Sequence, residues 1–371
     1  MPAVDPFSVL PKQQTTIVVA GPGKLEIKHD APMPEMTPST VIVKTAALAI
    51  NPADAKMLDY SAVPGAIHGY DYAGTIVALG SEVAAEGRLS VGDRVAGLVH
   101  GMNKLKPEIG AFAEYVSGCA DLMLKLPDGM SFEEGASLGT GVATAALGLF
   151  KELKVTPSLE PLADGKVSAQ EESEFVLVSG GSTATGTRAI QLLKLAGLRP
   201  IATSSPRNFD LCYHFGAEKV FDYKSPDCAS EIRRYTQGEL AFALDCVSQA
   251  DTTQLCFSAI GRAGGKYCAL EPFRESVAKT RELTLRPSWL MVLTIFGGPV
   301  ALDGEYGREA SAEDREFGRQ AFKAVQGLMD RGLIEAHPVK NLKGGWKGVV
   351  EGVERIRSQA MSGQKLVCSV A

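Results

Sequence analysis

The sequence predicts an α/β protein in which an open, doubly wound parallel sheet is joined to a β-rich domain. Three observations predict it. From Glu174 to Leu270, short apolar runs alternate with helix-like segments of about ten residues, the mark of βαβ units. Before about residue 130 the chain lacks long helical periodicity and reads as short strands joined by turns. Between the first strand and the first helix of the alternating region stands "SGGSTATG" (179–186), where a phosphate meets a helix N-terminus in open α/β sheets.

Taken in order, "TVIVKTAALAI" (40–50) and "AGTIVALGSEV" (73–83) are β-rich, and "SVGDRVAGL" (90–98) carries a turn signal before another strand. "SFEEGASLGTGVATAALGLFKEL" (131–153) opens on an N-cap serine with acidic residues in its first turn, and its spacing predicts a helix. The polar, proline-bearing segment 154–174 predicts a surface loop. Then "EFVLV" precedes "TRAIQLLKLAG", "RPIATS" precedes "NFDLCYHFGA", and "KVFDY" precedes "CASEIRRYTQG". "LAFALDCV" precedes "TTQLCFSAIG", and "GGKYCAL" closes the series. From Ala336 the tail returns to strand-like and helical pieces ending in "KLVCSVA".

A chain of 371 residues has room for two domains and a sizeable core. With 45% hydrophobic and 22% charged residues it has the composition of a soluble globular protein. A formal net charge of -5 without a lysine or arginine run argues against nucleic acid. The first residues lack the pattern of a signal peptide, and the long uncharged stretch 135–150 is too short to span a bilayer. The expectation is a cytoplasmic protein with no membrane partner. Seven scattered cysteines, none closer than ten positions to another, form no C-x-x-C pair and read as free thiols in a reducing compartment.

The turn departs from G-x-G-x-x-G, and hydroxyls stand where glycines are expected. A tight turn packing helix on strand is the simpler reading of those eight residues alone; the alternation that follows favours a dinucleotide. Ser182, Thr183 and Thr185, with Ala184 between them, can then present hydroxyl donors to phosphate oxygens. An NAD site places a carboxylate at the end of the second strand. Here stand Ser204, Ser205, Pro206, Arg207 and Asn208, a set suited to a 2'-phosphate and hence to NADPH; the alternative is a solvated arginine at a helix start. Tyr223, after the third strand, is placed near the adenosine half or in the core.

Over nearly its whole length the sequence resembles the medium-chain dehydrogenase/reductase superfamily, through "INPADAKM", "GYDYAGTIVALGSEV", "VGDRVAGL", "GAFAEYV" and "KLPDGMSFEEGASL". The resemblance implies a GroES-like substrate domain (1–140, with 336–371 returning to it) and a Rossmann domain for NADPH (141–335). Through "GGSTATG", "ATSSPRNFDL", "VFDYKSPD", "ALDCV" and "AIGRAGG" it is most similar to the trans-acting enoyl reductases of fungal polyketide pathways. That implies a monomer serving a highly reducing polyketide synthase or a synthase–peptide synthetase hybrid. The zinc alcohol dehydrogenases of the superfamily have their first metal cysteine near Asn51 and a Gly-His-Glu stretch where this chain has "GYDY" (69–72), so no metal is expected. His68, beside that stretch, reads as structural.

The resemblance assigns Ala53, Asp54, Ala55 and Lys56 to the cofactor, with Lys56 and Thr144 close to the reacting centre. It places Ala145, Ala146, Leu147, Gly148, Leu149, Phe150, Lys151 and Glu152 beside the substrate chain. Leu270, Glu271, Leu366 and Val367 line the nicotinamide side with backbone groups. Without the resemblance, Lys56 reads as a solvated lysine and Thr144 as a helix-capping threonine. The proton donor stays open: related mitochondrial enoyl-thioester reductases use a tyrosine soon after their Asn-Pro, and Tyr60 lies two positions out of register with it. A free-standing quinone or alkenal reductase and a non-catalytic NADPH-binding protein are the competing readings.

Overall fold

The computed structural model describes residues 10–156, 173–358 and 361–370, so most of the loop expected at 154–174 lies outside the described residues. Strands β1 (Gln13–Gly21) and β2 (Lys24–Pro32) form an antiparallel hairpin. Strand β3 (Thr40–Ala49) leads into helix α1 (Pro52–Tyr60), whose first position is a proline with no N–H to leave unsatisfied. Strand β4 (Asp71–Leu79) ends sooner than its apolar run suggests. Residues 81–83 instead open a short helix, α2 (Ser81–Glu86). Strands β5 (Arg94–Leu98), β6 (Tyr115–Cys119) and β7 (Met123–Lys125) follow.

The helix expected over 131–153 is three pieces: α3 (Phe132–Ala136), α4 (Gly139–Ala146) and a π-helical turn, Leu147–Glu152. Its start is as read. Ser131 Oγ accepts from Glu134 N at 3.2 Å, and the Glu134 carboxylate accepts from Ser131 N at 2.8 Å, a reciprocal capping box. The break has a cause outside the segment. A carboxylate oxygen of Asp71 takes both the N–H and the hydroxyl of Thr140 at 2.7 Å, and so starts a second helix there.

The alternating region gives β8 (Phe175–Ser179), α5 (Ala184–Leu195), β9 (Arg199–Ser204), α6 (Phe209–His214), β10 (Lys219–Asp222) and α7 (Cys228–Tyr235). It continues with β11 (Phe242–Asp245), α8 (Ala250–Ala259), β12 (Gly265–Ala269) and β13 (Leu285–Trp289). These strands make one parallel sheet in the order β10-β9-β8-β11-β12-β13. Chain order reverses between β8 and β11, so a ligand crevice is expected outside their carboxyl ends. Strand β13 extends the series beyond "GGKYCAL". It carries Pro287, which cannot donate to a ladder and sits on an edge strand.

After helix α9 (Ala312–Asp330) come β14 (Val339–Leu342), α10 (Trp346–Arg357) and β15 (Lys365–Ser369). The second large sheet has the order β14-β15-β3-β4-β5-β7, with β6 on β3. The chain divides into two compact units. One is Met1–Thr140 with Phe296–Arg315 and Glu335–Ala371, and the other is Gly141–Ile295 with Glu316–Ile334. Residues 296–315, which the sequence reading leaves with the α/β region, group with the first unit.

Each unit has its own core. Ile42, Leu48, Ile76 and Phe112 are fully buried in the first, and Leu177, Ile201, Ile232 and Tyr267 in the second. Each such aliphatic side chain contributes about 1.5–3 kcal/mol relative to exposure. Among the described residues no helix is long and apolar enough to cross a membrane.

Candidate active site

In the second unit the turn 179–186 sits at the carboxyl end of β8, where the chain order reverses. Gly180 takes a φ of 78°, which glycine adopts without strain. A Cβ on Gly186 would lie 2.3 Å from Gly180 O, so the close approach of helix to turn requires glycine there. Thr183 is the N-cap of α5: its Oγ1 accepts from Gly186 N at 2.9 Å and donates to Gly180 O at 2.9 Å. That hydroxyl therefore closes the turn, with its proton directed inward.

Ser182 behaves differently. Its Oγ accepts from Ser204 Oγ at 3.0 Å and from the Asn208 amide at 3.3 Å, so its own proton is left to donate outward. The turn and the end of β9 are thus one hydrogen-bonded unit at a helix N-terminus, a cradle that fits a phosphate. Residues 182–185 are all half-buried. Ser205 is half-buried, and Pro206 and Arg207 are exposed on a single 3₁₀ turn over Pro206–Asn208. Asp210 lies in the first turn of α6, facing solvent. Tyr223 is 37% exposed, and so it is not a core residue.

Leu270 and Glu271 are half-buried just past β12. The Leu270 N–H is already given to Ser248 Oγ at 2.8 Å, which leaves the carbonyl for any outside partner. Ser248 is held in turn by Asp245, whose carboxylate accepts from Ser248 N, Thr252 Oγ1 and Tyr267 Oη at 3.0, 2.8 and 3.0 Å. Burial raises the Asp245 carboxyl, opposed first by the Ser248 N–H. Thr144 is 5% exposed within α4, and Ala145 to Phe150 are buried, while Lys151 and Glu152 are half-buried. The π turn over 147–152 is the kind of irregularity that recurs at functional sites. Its Gly148 leaves no room for a Cβ, which would meet Leu244 at 2.7 Å.

In the first unit, α1 carries Ala53 half-buried, Asp54 and Ala55 buried, and Lys56 exposed. The Lys56 ammonium lies 5.1 Å from the centroid of the Tyr306 ring, within cation–π range. Tyr60 stands edge-on to the same ring at 5.3 Å and is 50% exposed. The segment bearing Tyr306 is fastened to the end of α1 by Ser61, whose hydroxyl donates to Asp303 at 2.9 Å. The structure thus brings Lys56 and Tyr60 together around a tyrosine far along the chain.

Under α1 lies a buried polar network. Asp54, fully buried, accepts from Asn51 N at 2.6 Å. Burial raises its carboxyl to about 8, against the lowering effect of the Asn51 N–H and then of Lys365. His68 Nε2 donates to Asp54 O at 2.9 Å, and burial lowers its imidazole to about 4, so the ring is neutral and structural, as its surroundings in the sequence suggest. The Asn51 amide donates to Asp71 Oδ2 at 2.8 Å. Lys365 Nζ donates to Asn51 Oδ1 and lies 3.4 Å from Asp71 Oδ2. Leu366 and Val367, next in the strand, are fully buried, and Leu366 O accepts from Ile50 N at 3.0 Å.

Asn51, Asp71, Lys365 and Tyr306 are the residues that the sequence reading did not assign. One signal was present: a lysine opening the otherwise apolar strand "KLVCS" needs a buried partner.

Comparison with known proteins agrees with this architecture. Residues 37–128 match the alcohol dehydrogenase GroES-like domain, and 184–297 match the zinc-binding dehydrogenase family. The trans-enoyl reductase caaB of Aspergillus niger is 63% identical over 370 residues, covering 100% of both chains. The trans-enoyl reductases thnE of Trichoderma harzianum and traG of Penicillium crustosum are 59% and 60% identical, again over 100% of both chains. The CurK enoyl reductase shares the fold at a TM-score of 0.72 and 19% identity, covering 96% of this chain and 99% of that one. The zinc in the second family's description does not fit the residues present. Among the described residues no group of three or more His, Cys, Asp or Glu is placed to hold a metal ion, and the Lys365 ammonium lies between the Asn51 and Asp71 oxygens.

Proposed function

This chain belongs to the trans-enoyl reductase family of GroES-like, zinc-binding-dehydrogenase-type oxidoreductases, and we propose that it reduces the α,β double bond of an enoyl thioester with NADPH. The acyl chain is carried on a phosphopantetheine arm of a highly reducing polyketide synthase or a synthase–peptide synthetase hybrid. The observation that carries this reading is identity of 59–63% along the entire chain to proteins of that one named activity. The enzyme works in the cytoplasm as a monomer, with the unit formed by 1–140, 296–315 and 335–371 as its substrate domain and the unit formed by 141–295 and 316–334 as its nucleotide domain.

A bound nicotinamide cofactor supplies the hydride. The chain's part is binding, orientation and charge. Ser182 and the N–H groups opening α5 hold the pyrophosphate, while Arg207 with Ser205 and Asn208 takes the 2'-phosphate and sets the preference for NADPH. Lys56 brings positive charge toward the thioester oxygen, where negative charge develops, and Thr144 offers one hydroxyl donor. The buried stretch 145–150 borders the acyl chain and keeps water from it. Tethering raises the effective concentration of the acyl group, so the site does not need tight affinity for a free thioester.

The test compares one enoyl group on free pantetheine and on its cognate carrier domain, with NADPH consumption as readout. Turnover should rise on the carrier and be absent with quinones. Equal turnover on both thioesters, or faster turnover of quinones, contradicts a carrier-dependent enoyl reductase.

A further inference from the structure

In the first unit a buried ammonium sits between two positions to which the resemblance would assign metal ligands in the zinc alcohol dehydrogenases. Asn51 stands near their first metal cysteine, and Asp71 lies in "GYDY", the stretch that replaces their Gly-His-Glu. Lys365 Nζ reaches both, donating to Asn51 Oδ1 and lying 3.4 Å from Asp71 Oδ2. All three are buried, with exposures of 7% for Lys365, 5% for Asn51 and 0% for Asp71. The remaining valences are filled. Asp71 Oδ2 accepts from the Asn51 amide at 2.8 Å, and its Oδ1 accepts from Thr140 N and Oγ1 at 2.7 Å. A buried carboxylate with three donors and a cation is a closed arrangement with no coordination site to offer.

We propose that Lys365 is a positioning residue whose ammonium replaces the metal as the fixed cation of this site and, through Asn51, holds helix α1 in register for the cofactor. The proposal rests on the reading that 53–56 and 366–367 meet the cofactor. Asn51 is the residue from which α1 starts, and its N–H binds the Asp54 carboxyl group at 2.6 Å. Ile50, one residue earlier, donates its N–H to Leu366 O at 3.0 Å. Lys365 precedes Leu366 directly, so one side chain and one backbone bond tie both segments together across 314 positions of sequence. Losing the ammonium leaves Asp71 uncompensated and the Asn51 carbonyl without its donor.

The experiment uses the full chain produced in zinc-supplemented medium, with three readouts: metal content, melting temperature and NADPH affinity by fluorescence titration. The wild type should hold zinc in fewer than about one chain in ten; one tightly held zinc per chain overturns the proposal. Lys365→Met should lower the melting temperature by ~5 °C and weaken NADPH binding by about tenfold or more. Adding Asp71→Asn to Lys365→Met removes the orphaned charge and should restore most of the melting temperature while NADPH binding stays weak. No thermal recovery in the double variant means that the lysine stem, not its charge, supports the fold. NADPH binding at the wild-type level in either variant means that the ammonium does not position the cofactor segment. A wild type that binds no NADPH defeats the cofactor reading itself, while zinc content and thermal recovery still judge the ammonium.

Discussion

Arg207 is exposed on the turn after β9, where an NAD site would carry a carboxylate. If it grips the 2'-phosphate, Arg207→Ala removes a charge-assisted bond worth ~1.5–3 kcal/mol, roughly a 10- to 150-fold loss of NADPH affinity. NADH affinity should hardly change; equal losses for both cofactors in a titration mean that Arg207 supports the fold instead. Lys56→Ser and Thr144→Val should each lower reduction by up to ~10²–10³ with unchanged circular dichroism, and wild-type rates would remove them from the mechanism. Asp54 gives a test by pH. Folded, its carboxyl lies at about 8, and unfolded it returns to the ordinary range near ~3.9. Between those values the folded chain keeps a proton that the unfolded chain releases, so stability is highest below the lower value and falls as pH rises through about 8. Asp54→Asn cannot titrate. Melting temperatures from about pH 6 to about pH 9 should fall more for the wild type than for the variant, and parallel curves contradict a buried neutral carboxyl. At this scale the sequence is informative where a proposed role lies within one stretch, as at Ser182 and Arg207. It does not name partners that topology sets, as for Lys365 with Asn51 or Tyr306 with Lys56, because no local pattern encodes a neighbour hundreds of positions away.

Elements were the most legible part of the molecule. "RPIATS" is β9 from end to end, because a short apolar run between turn signals has one good solution in a buried parallel sheet. Three departures have identifiable physical causes. Strand β4 gives way to α2 after Gly80, where a Cβ would lie 2.3 Å from Thr37 O and the chain must turn. The helix over 131–153 breaks because Asp71, sixty-nine positions from Thr140, captures a backbone N–H. Strand β13 escapes notice because "LRPSW" contains a proline and no alternation, yet an edge position tolerates both. The turn at 179–186 yields an element-scale prediction. Thr183→Val deletes the N-cap oxygen that accepts from Gly186 N, which should cost about 0.5–2 kcal/mol in denaturant unfolding; Thr183→Ser should keep most of it. Equal stability of wild type and Thr183→Val would show that the turn closes without its hydroxyl.

For the whole molecule, the chain divides into two units with separate sheets, and the match to trans-enoyl reductases runs its full length. A reductase that works on a tethered chain is defined by what it does to a partner's product. The direct measurement is therefore reconstitution of the cognate synthase with NADPH, with and without this protein, and mass analysis of the released chain. Product lighter by two hydrogens per enoyl step is expected when the protein is left out, with full saturation at those positions when it is added. Full saturation by the synthase alone, or no change on adding the folded, NADPH-bound protein, would contradict it.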